Sequence, residues 1–319
     1  MSSRLWSVLI ACFIFMLSAG YELNAAGLYE CPNADSASVD QVPADDPDTT
    51  LAPVYNDNFV PEWYDMVTNV PGDIMKYFKV TFREDKIPIY LAVTALTAVT
   101  IATDDKTYTE SKKWFAENHF VHQASDFFTS IGDGRTQFGL AIGFAAYGLI
   151  GKDARALRTG SQIVQAVLAS GAVVQVMKHI TGRQSPEART QPAGRWDFFP
   201  NQIEYHKHVS VYDAFPSGHL TTTLATVEVV AENYPEIWWI RPAGYTIGGL
   251  LAVSMVNRGI HWYSDYPLAI VLGITFGKIA AHPEGIPISL LGSRRKMDIN
   301  FSPTIVGGNG YGVALTCSF

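Results

Sequence analysis

The chain has 319 residues, a net charge of −7 at pH 7, and 48% apolar against 17% charged residues. This length is sufficient for one large domain, while the apolar share is low for a protein made wholly of membrane spans. The acidic balance argues against nucleic-acid binding, since the dense basic run is the short Arg294-Arg295-Lys296.

The N-terminus has the layout of an export signal. Arg4 is followed by an apolar run, Leu5–Leu17, and then by small residues up to Ala26. This pattern predicts a secretory signal peptide over residues 1–26, with a retained membrane anchor as the alternative. Residues 27–60 are rich in Asp, Pro, Ser and Asn and predict a flexible leader, so we expect an exported, periplasmic protein.

The main domain is predicted over residues 61–297 and is all-α. Between residues 61 and 82 the apolar positions have helical spacing, interrupted at Pro71-Gly72, which predicts two short amphipathic helices on a core or membrane face. Six apolar segments then predict a six-helix bundle. They are approximately residues 88–103, 137–150, 161–178, 219–231, 243–257 and 265–281.

The six helices are expected to pack on each other in an exported globular or membrane-peripheral bundle. A spanning helix needs about 20 mostly apolar residues, and several of these segments carry polar side chains. If all six crossed a membrane after a cleaved signal, the third would end with Lys178 on the cytoplasmic side. A bundle that does not span avoids that orientation.

The tail, residues 298–319, differs from the domain. Two strand-like stretches flank Gly307-Gly308-Asn309-Gly310, which predicts a C-terminal β-hairpin. Cys31 and Cys317 would lie near the two ends of the mature chain. An oxidising compartment would allow them to pair, and two unpaired thiols fit the sequence equally well.

The run Phe215-Pro216-Ser217-Gly218-His219 precedes an apolar helical segment. A helix start of this kind presents backbone N–H groups and a hydroxyl at the positive end of the helix, which suits phosphate or another oxyanion. His219 would lie in the first turn, where it can reach the same anion. An ordinary N-cap with an incidental histidine is the alternative.

Two further places carry chemistry. His261 and Asp265 stand four apart and would share one face of a helix, where the carboxylate fixes one ring nitrogen and leaves the other free as base or nucleophile. Lys178 and Arg183 lie where an apolar helix ends. Cations there complement the helix C-terminus and would also neutralise a phosphate.

In this order the three motifs resemble the signature of the type-2 phosphatidic acid phosphatase (PAP2) and vanadium haloperoxidase superfamily. That signature has Lys followed by Arg-Pro, then Pro-Ser-Gly-His, then Ser-Arg upstream of His-x-x-x-Asp, and the resemblance covers about residues 85–282. It implies a six-helix bundle with the motifs at helix ends. It also implies a phosphatase that needs no metal and no other cofactor.

The resemblance implies a role for each matching residue. His261 would be the nucleophile that forms a phosphohistidine, Asp265 would orient it, and His219 would be the general acid and then the base that activates water. The groups implied to hold the non-bridging phosphate oxygens are Lys178, Ser217 and the Gly218 N–H.

The sequence departs from the signature at two arginines. Ser185 and Met255 stand where the family has them. Our hypothesis is that Arg183 and Arg258 supply the missing charges, and the alternative is a weaker catalyst. Two other nearby arginines, Arg189 and Arg195, are further candidates.

The connection over residues 184–214 is long and rich in aromatic residues, which favours a lid that selects the leaving group. The expected partner is a phosphorylated lipid or a small phosphate ester, with contact to a membrane surface. A vanadium-dependent haloperoxidase-like enzyme is one alternative, although such an enzyme would be expected to keep its full set of cations. A non-catalytic phospholipid-binding module is the other, and the matching histidines and aspartate argue against it.

Overall fold

The computed structural model describes residues 59–283 and the backbone of two strands near the C-terminus. The predicted signal peptide, the predicted leader up to residue 58, and Cys31 lie outside the described residues. The signal peptide and the two interpretations of the cysteines therefore stay predictions.

The regular structure of residues 59–283 is helical, which confirms the predicted helical character of the domain. In chain order the helices are α1 (Asp65–Thr68), α2 (Val70–Thr81), α3 (Ile87–Ile101), α4 (Asp104–Glu117), α5 (His119–Ile131), α6 (Gly134–Gly151), α7 (Ala154–Thr181), α8 (Gln202–Lys207), α9 (Gly218–Asn233), α10 (Ile240–Asn257) and α11 (Tyr266–Ala281). Short 3-10 turns occur at Glu84–Lys86, Val209–Val211 and Tyr263–Asp265.

All six predicted segments are helices, namely α3, α6, α7, α9, α10 and α11. The largest difference is at α7, which begins at Ala154 rather than near residue 161. Two further helices, α4 and α5, lie between the first and second predicted segments and were not predicted. At the C-terminus, β1 (Asp298–Val306) and β2 (Gly310–Ser318) pair antiparallel.

Helix α7 is the central helix and carries Lys178 in its last turn. It begins at the N-cap Asp153, whose carboxylate accepts a hydrogen bond from the Ala156 N–H at 3.0 Å. It ends at Gly182, which has φ +50 and where a Cβ would come within 2.1 Å of the Asp197 carbonyl oxygen. Only glycine fits there, so the end of the helix and the position of Lys178 are fixed.

Among the described residues, α7 is the one helix long and apolar enough to cross a membrane, and 44% of its most apolar stretch is buried in the bundle. Helices α3 and α4 meet at a bend of 62°. They would form a second candidate span if the pair were counted as one broken helix. Because α7 packs against α6, α9 and α11 as a core helix does, this is weak evidence for membrane association.

Helices α9 and α11 pack closely and bring their starts together. A Cβ added at Gly273 would lie 2.6 Å from the Thr221 carbonyl oxygen, so the two backbones approach as only glycine permits. The Thr221 hydroxyl also donates to the Ala269 carbonyl at 3.2 Å. The Ser217 N–H donates to the Asp265 carbonyl at 3.2 Å, which joins two of the predicted motifs through the backbone.

The second half of α9 is tied to its neighbours by buried charges. The fully buried Glu228 accepts hydrogen bonds from Arg241 and Tyr245 of α10. Glu232 accepts from Arg241 and lies 3.1 Å from His282, just after α11. These contacts fix the C-terminal half of α9. The N-terminal turn of the same helix lines the site.

Candidate active site

The structure brings the two predicted histidines together. His219 lies in the first turn of α9, and His261 lies in the connection that follows α10. Their ring centroids are 6.1 Å apart, with the ring planes at 71°. Both predicted positions are therefore in one site, although sequence separates them by a whole helix.

Asp265 holds His261 by one carboxylate oxygen. Its Oδ2 accepts from the Trp262 N–H at 2.7 Å and lies 3.3 Å from Nδ1 of His261. The pair was predicted to share a face of an α-helix, but Asp265 ends the 3-10 turn Tyr263–Asp265 and His261 precedes it. The carboxylate reaches back over this tighter turn to cap it. A proton on Nδ1 would be shared with the buried carboxylate, which leaves Nε2 free to react.

Ser217 is the N-cap of α9, and its hydroxyl oxygen accepts from the Leu220 N–H at 3.5 Å. The hydroxyl proton remains available to an anion at the helix start. A Cβ added at Gly218 would lie 3.9 Å from Nζ of Lys178, so the ammonium group sits beside the backbone of this turn. Lys178, Ser217 and Gly218 are thus brought together at the positive end of α9, as predicted.

Lys178 has a carboxylate partner that the sequence did not reveal. Its Nζ lies 3.4 Å from Oδ2 of Asp213, two residues before the Phe215-Pro216 motif. The Asp213 side chain is 31% exposed, whereas that of Lys178 is 7% exposed. Any anion bound at the start of α9 would therefore compete with Asp213 for Lys178.

His219 is held in its neutral form. Burial lowers its pKa to about 4, and positive charge on His261 and Lys178 acts in the same direction. Asp133 and Asp213 oppose this shift more weakly. In the free site at neutral pH, His219 therefore has no proton to spare for a leaving group.

Arg183 does not face the pocket as the phosphate-binding hypothesis requires. The side chain is fully buried. Its Nη1 donates to the Ser264 hydroxyl at 2.6 Å and to Oδ1 of Asp265. Its Nη2 donates to Oδ2 of Asp104 at 2.7 Å and to the Ala193 carbonyl at 3.1 Å. The guanidinium group thus contacts the carboxylate behind His261 instead of an open anion site.

The other candidate arginines each pair with a carboxylate other than Asp265, the partner of His261. Arg258 is 40% exposed and pairs with Asp126. The remaining pairs are Arg189 with Asp105 at 3.1 Å and Arg195 with Asp197 at 3.5 Å. Of the five cations considered, all within the described residues, Lys178 is the one at the helix start.

Arg258→Ala is expected to keep wild-type turnover, because an exposed arginine with its own carboxylate partner has no charge to offer the site. The comparison is kcat/KM on a soluble phosphate monoester, with Arg195→Ala as a matched exposed control. A large loss confined to Arg258→Ala would restore the hypothesis that Arg258 binds phosphate.

The two positions where the signature has arginine are buried. Met255 is fully buried, and Ser185 is 4% exposed with its N–H donating to the Ser210 carbonyl at 3.0 Å. Neither position offers a charge. The site therefore has fewer cations than the signature implies.

The connection over residues 184–214 is anchored from within. The buried side-chain oxygen of Gln184 accepts from the Thr190 N–H at 3.2 Å and the Arg195 N–H at 3.0 Å. The Gln184 carbonyl accepts from the Trp262 indole N–H at 2.7 Å, beside His261. This segment is thus linked to the site by hydrogen bonds.

Fold and site together define a helical protein in which two histidines and a lysine meet at the start of α9. Residues 160–283 match the model of the PAP2 superfamily. The match runs from within α7 to the end of α11 and contains all three motifs, which confirms the resemblance seen in the sequence. It indicates a phosphatase or a related enzyme. No curated protein and no solved structure matches the chain.

Proposed function

We propose that this protein is a metal-independent phosphatase that hydrolyses a phosphate monoester, either a lipid phosphate or pyrophosphate, through a phosphohistidine at His261. The observation that carries the proposal is the His261–Asp265 contact, which leaves Nε2 of His261 free beside His219 and Lys178. This is the arrangement of a nucleophile with its orienting group.

In the first step, Nε2 of His261 attacks phosphorus as the bond to the leaving oxygen breaks. The proton arrives with the phosphate monoanion, the neutral His219 relays it to that oxygen, and the alcohol departs. Lys178 and the N–H groups of the α9 start hold the non-bridging oxygens, where negative charge gathers. In the second step, water attacks phosphorus, His219 takes its proton, the P–N bond breaks, and inorganic phosphate leaves His261 unmodified.

An apolar surface beside the pocket supports a lipid substrate. Phe198, Phe199 and Ile203 are 63%, 75% and 68% exposed. The Phe199 N–H donates to the Ile180 carbonyl at 2.8 Å, so this surface rests on the helix end that carries Lys178. Exposed aromatic side chains next to a phosphate site suit an acyl or prenyl chain, or a membrane that holds it. On this basis we propose a periplasmic enzyme in contact with a membrane surface.

The test is phosphate release in EDTA from p-nitrophenyl phosphate, phosphatidate and a prenyl pyrophosphate. A parallel assay measures acid-labile ³²P on the protein. Release from the lipid substrates with transient labelling is the expected result. No release and no label would overturn the proposal, and vesicle binding without turnover would favour a phospholipid-binding module. Halide oxidation with vanadate and peroxide would favour the haloperoxidase-like alternative.

The pH dependence of kcat/KM is expected to be bell-shaped with its maximum at acidic pH. His219 is neutral above its free-enzyme pKa of about 4, so the leaving-group proton must arrive with the phosphate monoanion. The monoanion is lost as pH rises through the second phosphate pKa of about 6. As pH falls through the pKa of His219, neutral His219 is lost instead. A kcat/KM profile that stays flat up to about pH 8 would contradict this source of the leaving-group proton. It would leave the phosphatase proposal intact.

A further inference from the structure

Behind Asp265 lies a buried group of charges that the proposed chemistry does not use directly. Asp104, Arg183 and Asp265 have fully buried side chains, and Arg183 pairs with both carboxylates. Asp104 is the first residue of α4, outside the segment that matches the PAP2 superfamily. Buried charges without a role usually cost stability, so a specific function for this group has to be considered.

Asp104 fixes the 3-10 turn that presents Asp265. Its Oδ1 accepts from the Ser264 N–H at 3.2 Å, and its Oδ2 accepts from the Ser264 hydroxyl. Arg183 donates to the same hydroxyl and to Asp265, so it spans both carboxylates. Asp265 is thereby held at Oδ1 from one side, while its Oδ2 is left for His261.

The charges of this group decide how strongly Asp265 acts on His261. Arg183 by itself would neutralise Asp265 across their contact in a poorly polarisable interior. Burial raises the pKa of Asp104 to about 6, against the opposing effects of Arg183 and the Ser264 hydroxyl. Above that pH Asp104 compensates Arg183, so the three groups together carry one negative charge. That charge is what a positively charged, phosphorylated His261 ring needs beside it.

We propose that Asp104 and Arg183 are positioning residues that aim Oδ2 of Asp265 at His261 and preserve its negative charge during phosphoryl transfer. The inference rests on the proposed phosphatase function. Neither residue touches the substrate, since both side chains are fully buried and their oxygens and terminal nitrogens contact protein groups. The rings of Trp196 and Trp262 also lie against Arg183, 4.7 and 5.5 Å from its guanidinium carbon.

The test is Asp104→Asn, which keeps the shape of the side chain and removes its charge. We expect kcat to fall by about 10-fold to 100-fold with little change in KM, by analogy with carboxylates that orient metal-bound histidines. The acid limb of kcat/KM should move to lower pH, because the variant loses a negative charge that favours protonated His219 and also loses the protonation of Asp104, whose pKa burial raises to about 6. The charged or titratable groups facing His261 are Asp265, His219 and Tyr266. Those acting on His219 are His261, Lys178, Asp133 and Asp213.

The matched control is Asp105→Asn, the neighbouring carboxylate on α4, which pairs with Arg189 at the surface. It should leave both kcat and the acid limb unchanged. The double variant Asp104→Asn/Arg183→Gln removes a compensating pair of charges and should return the acid limb toward its wild-type position. A structural defect alone would not produce that reversal.

A folded Asp104→Asn protein with wild-type kcat and an unchanged acid limb would overturn the inference while the phosphatase function stands. Lower thermal stability without either kinetic change would also overturn it. If Asp104→Asn does not fold, Arg183→Lys replaces it. Arg183→Lys keeps the positive charge but loses the simultaneous contact with Asp104 and Asp265. We therefore expect kcat to fall while the acid limb of kcat/KM stays at its wild-type pH. Wild-type protein without turnover or ³²P label would overturn both the function and the inference.

Discussion

Replacing His261 by alanine is expected to abolish phosphate release, with kcat reduced by at least about 10⁴-fold, the scale seen when a covalent nucleophile is removed. The ring nitrogen that would carry the phosphoryl group is lost. The decisive measurement is single-turnover labelling with a ³²P-labelled lipid phosphate. Wild-type protein should form acid-labile label, and the variant should form none.

The matched control is His119→Ala, an exposed histidine at the first position of α5. It should retain wild-type labelling and turnover. Retained turnover in folded His261→Ala would mean that water attacks phosphorus directly. Transfer of the label to His219 would mean that the roles of the two histidines are reversed.

The sequence predicted the six long apolar helices and missed α4 and α5. Helix α4 was missed because its buried positions are Asp104, Thr107, Tyr108 and Ser111, which form no apolar stripe. Asp104 and Tyr108 meet polar partners from distant parts of the chain, namely Arg183 and Glu187. Asp104 and Arg183, for example, are 79 positions apart. Such pairing has no local signal in one sequence.

The same limit applies to the arginines of the site. Arg183 lies two residues before the expected position, but α7 ends at Gly182 and the next residue bridges to Trp196 and Asp213, so its side chain turns inward. Arg258 was placed one helical turn before His261. Helix α10 ends at Asn257 and Gly259 has φ +74, so helical spacing does not continue to the histidine.

The sequence did predict the positions of the site residues that lie at helix ends. Lys178 lies in the last turn of α7, Ser217 is the N-cap of α9, and His219 lies in the first turn of α9. These positions are as expected from the caps and charges. Because each of these positions is fixed by local rules, their meeting required only that α7, α9 and the start of α11 pack together. The close approach of α9 and α11 at Gly273 satisfies that requirement.

Asp265→Asn is expected to lower kcat by about 10³-fold to 10⁴-fold, the range for losing the carboxylate that orients a catalytic histidine in other hydrolases. If the asparagine oxygen takes the Oδ1 place and accepts from Arg183, the amide nitrogen takes the Oδ2 place and donates to Nδ1 of His261; the opposite orientation would turn the amide nitrogen toward the Arg183 donor. The contact of the amide nitrogen with Nδ1 selects the tautomer with the proton on Nε2. The reacting nitrogen would then be protonated and unable to attack phosphorus.

The fold should survive this change, because Arg183 keeps Asp104 as its partner and no buried charge is left unpaired. Thermal unfolding checks that point, and substrate protection of His219 from chemical modification checks that the pocket still binds phosphate. Near-normal kcat in a folded Asp265→Asn protein would contradict the tautomer argument. It would also remove the reason for the buried Asp104–Arg183 pair, since that pair reaches His261 only through Asp265.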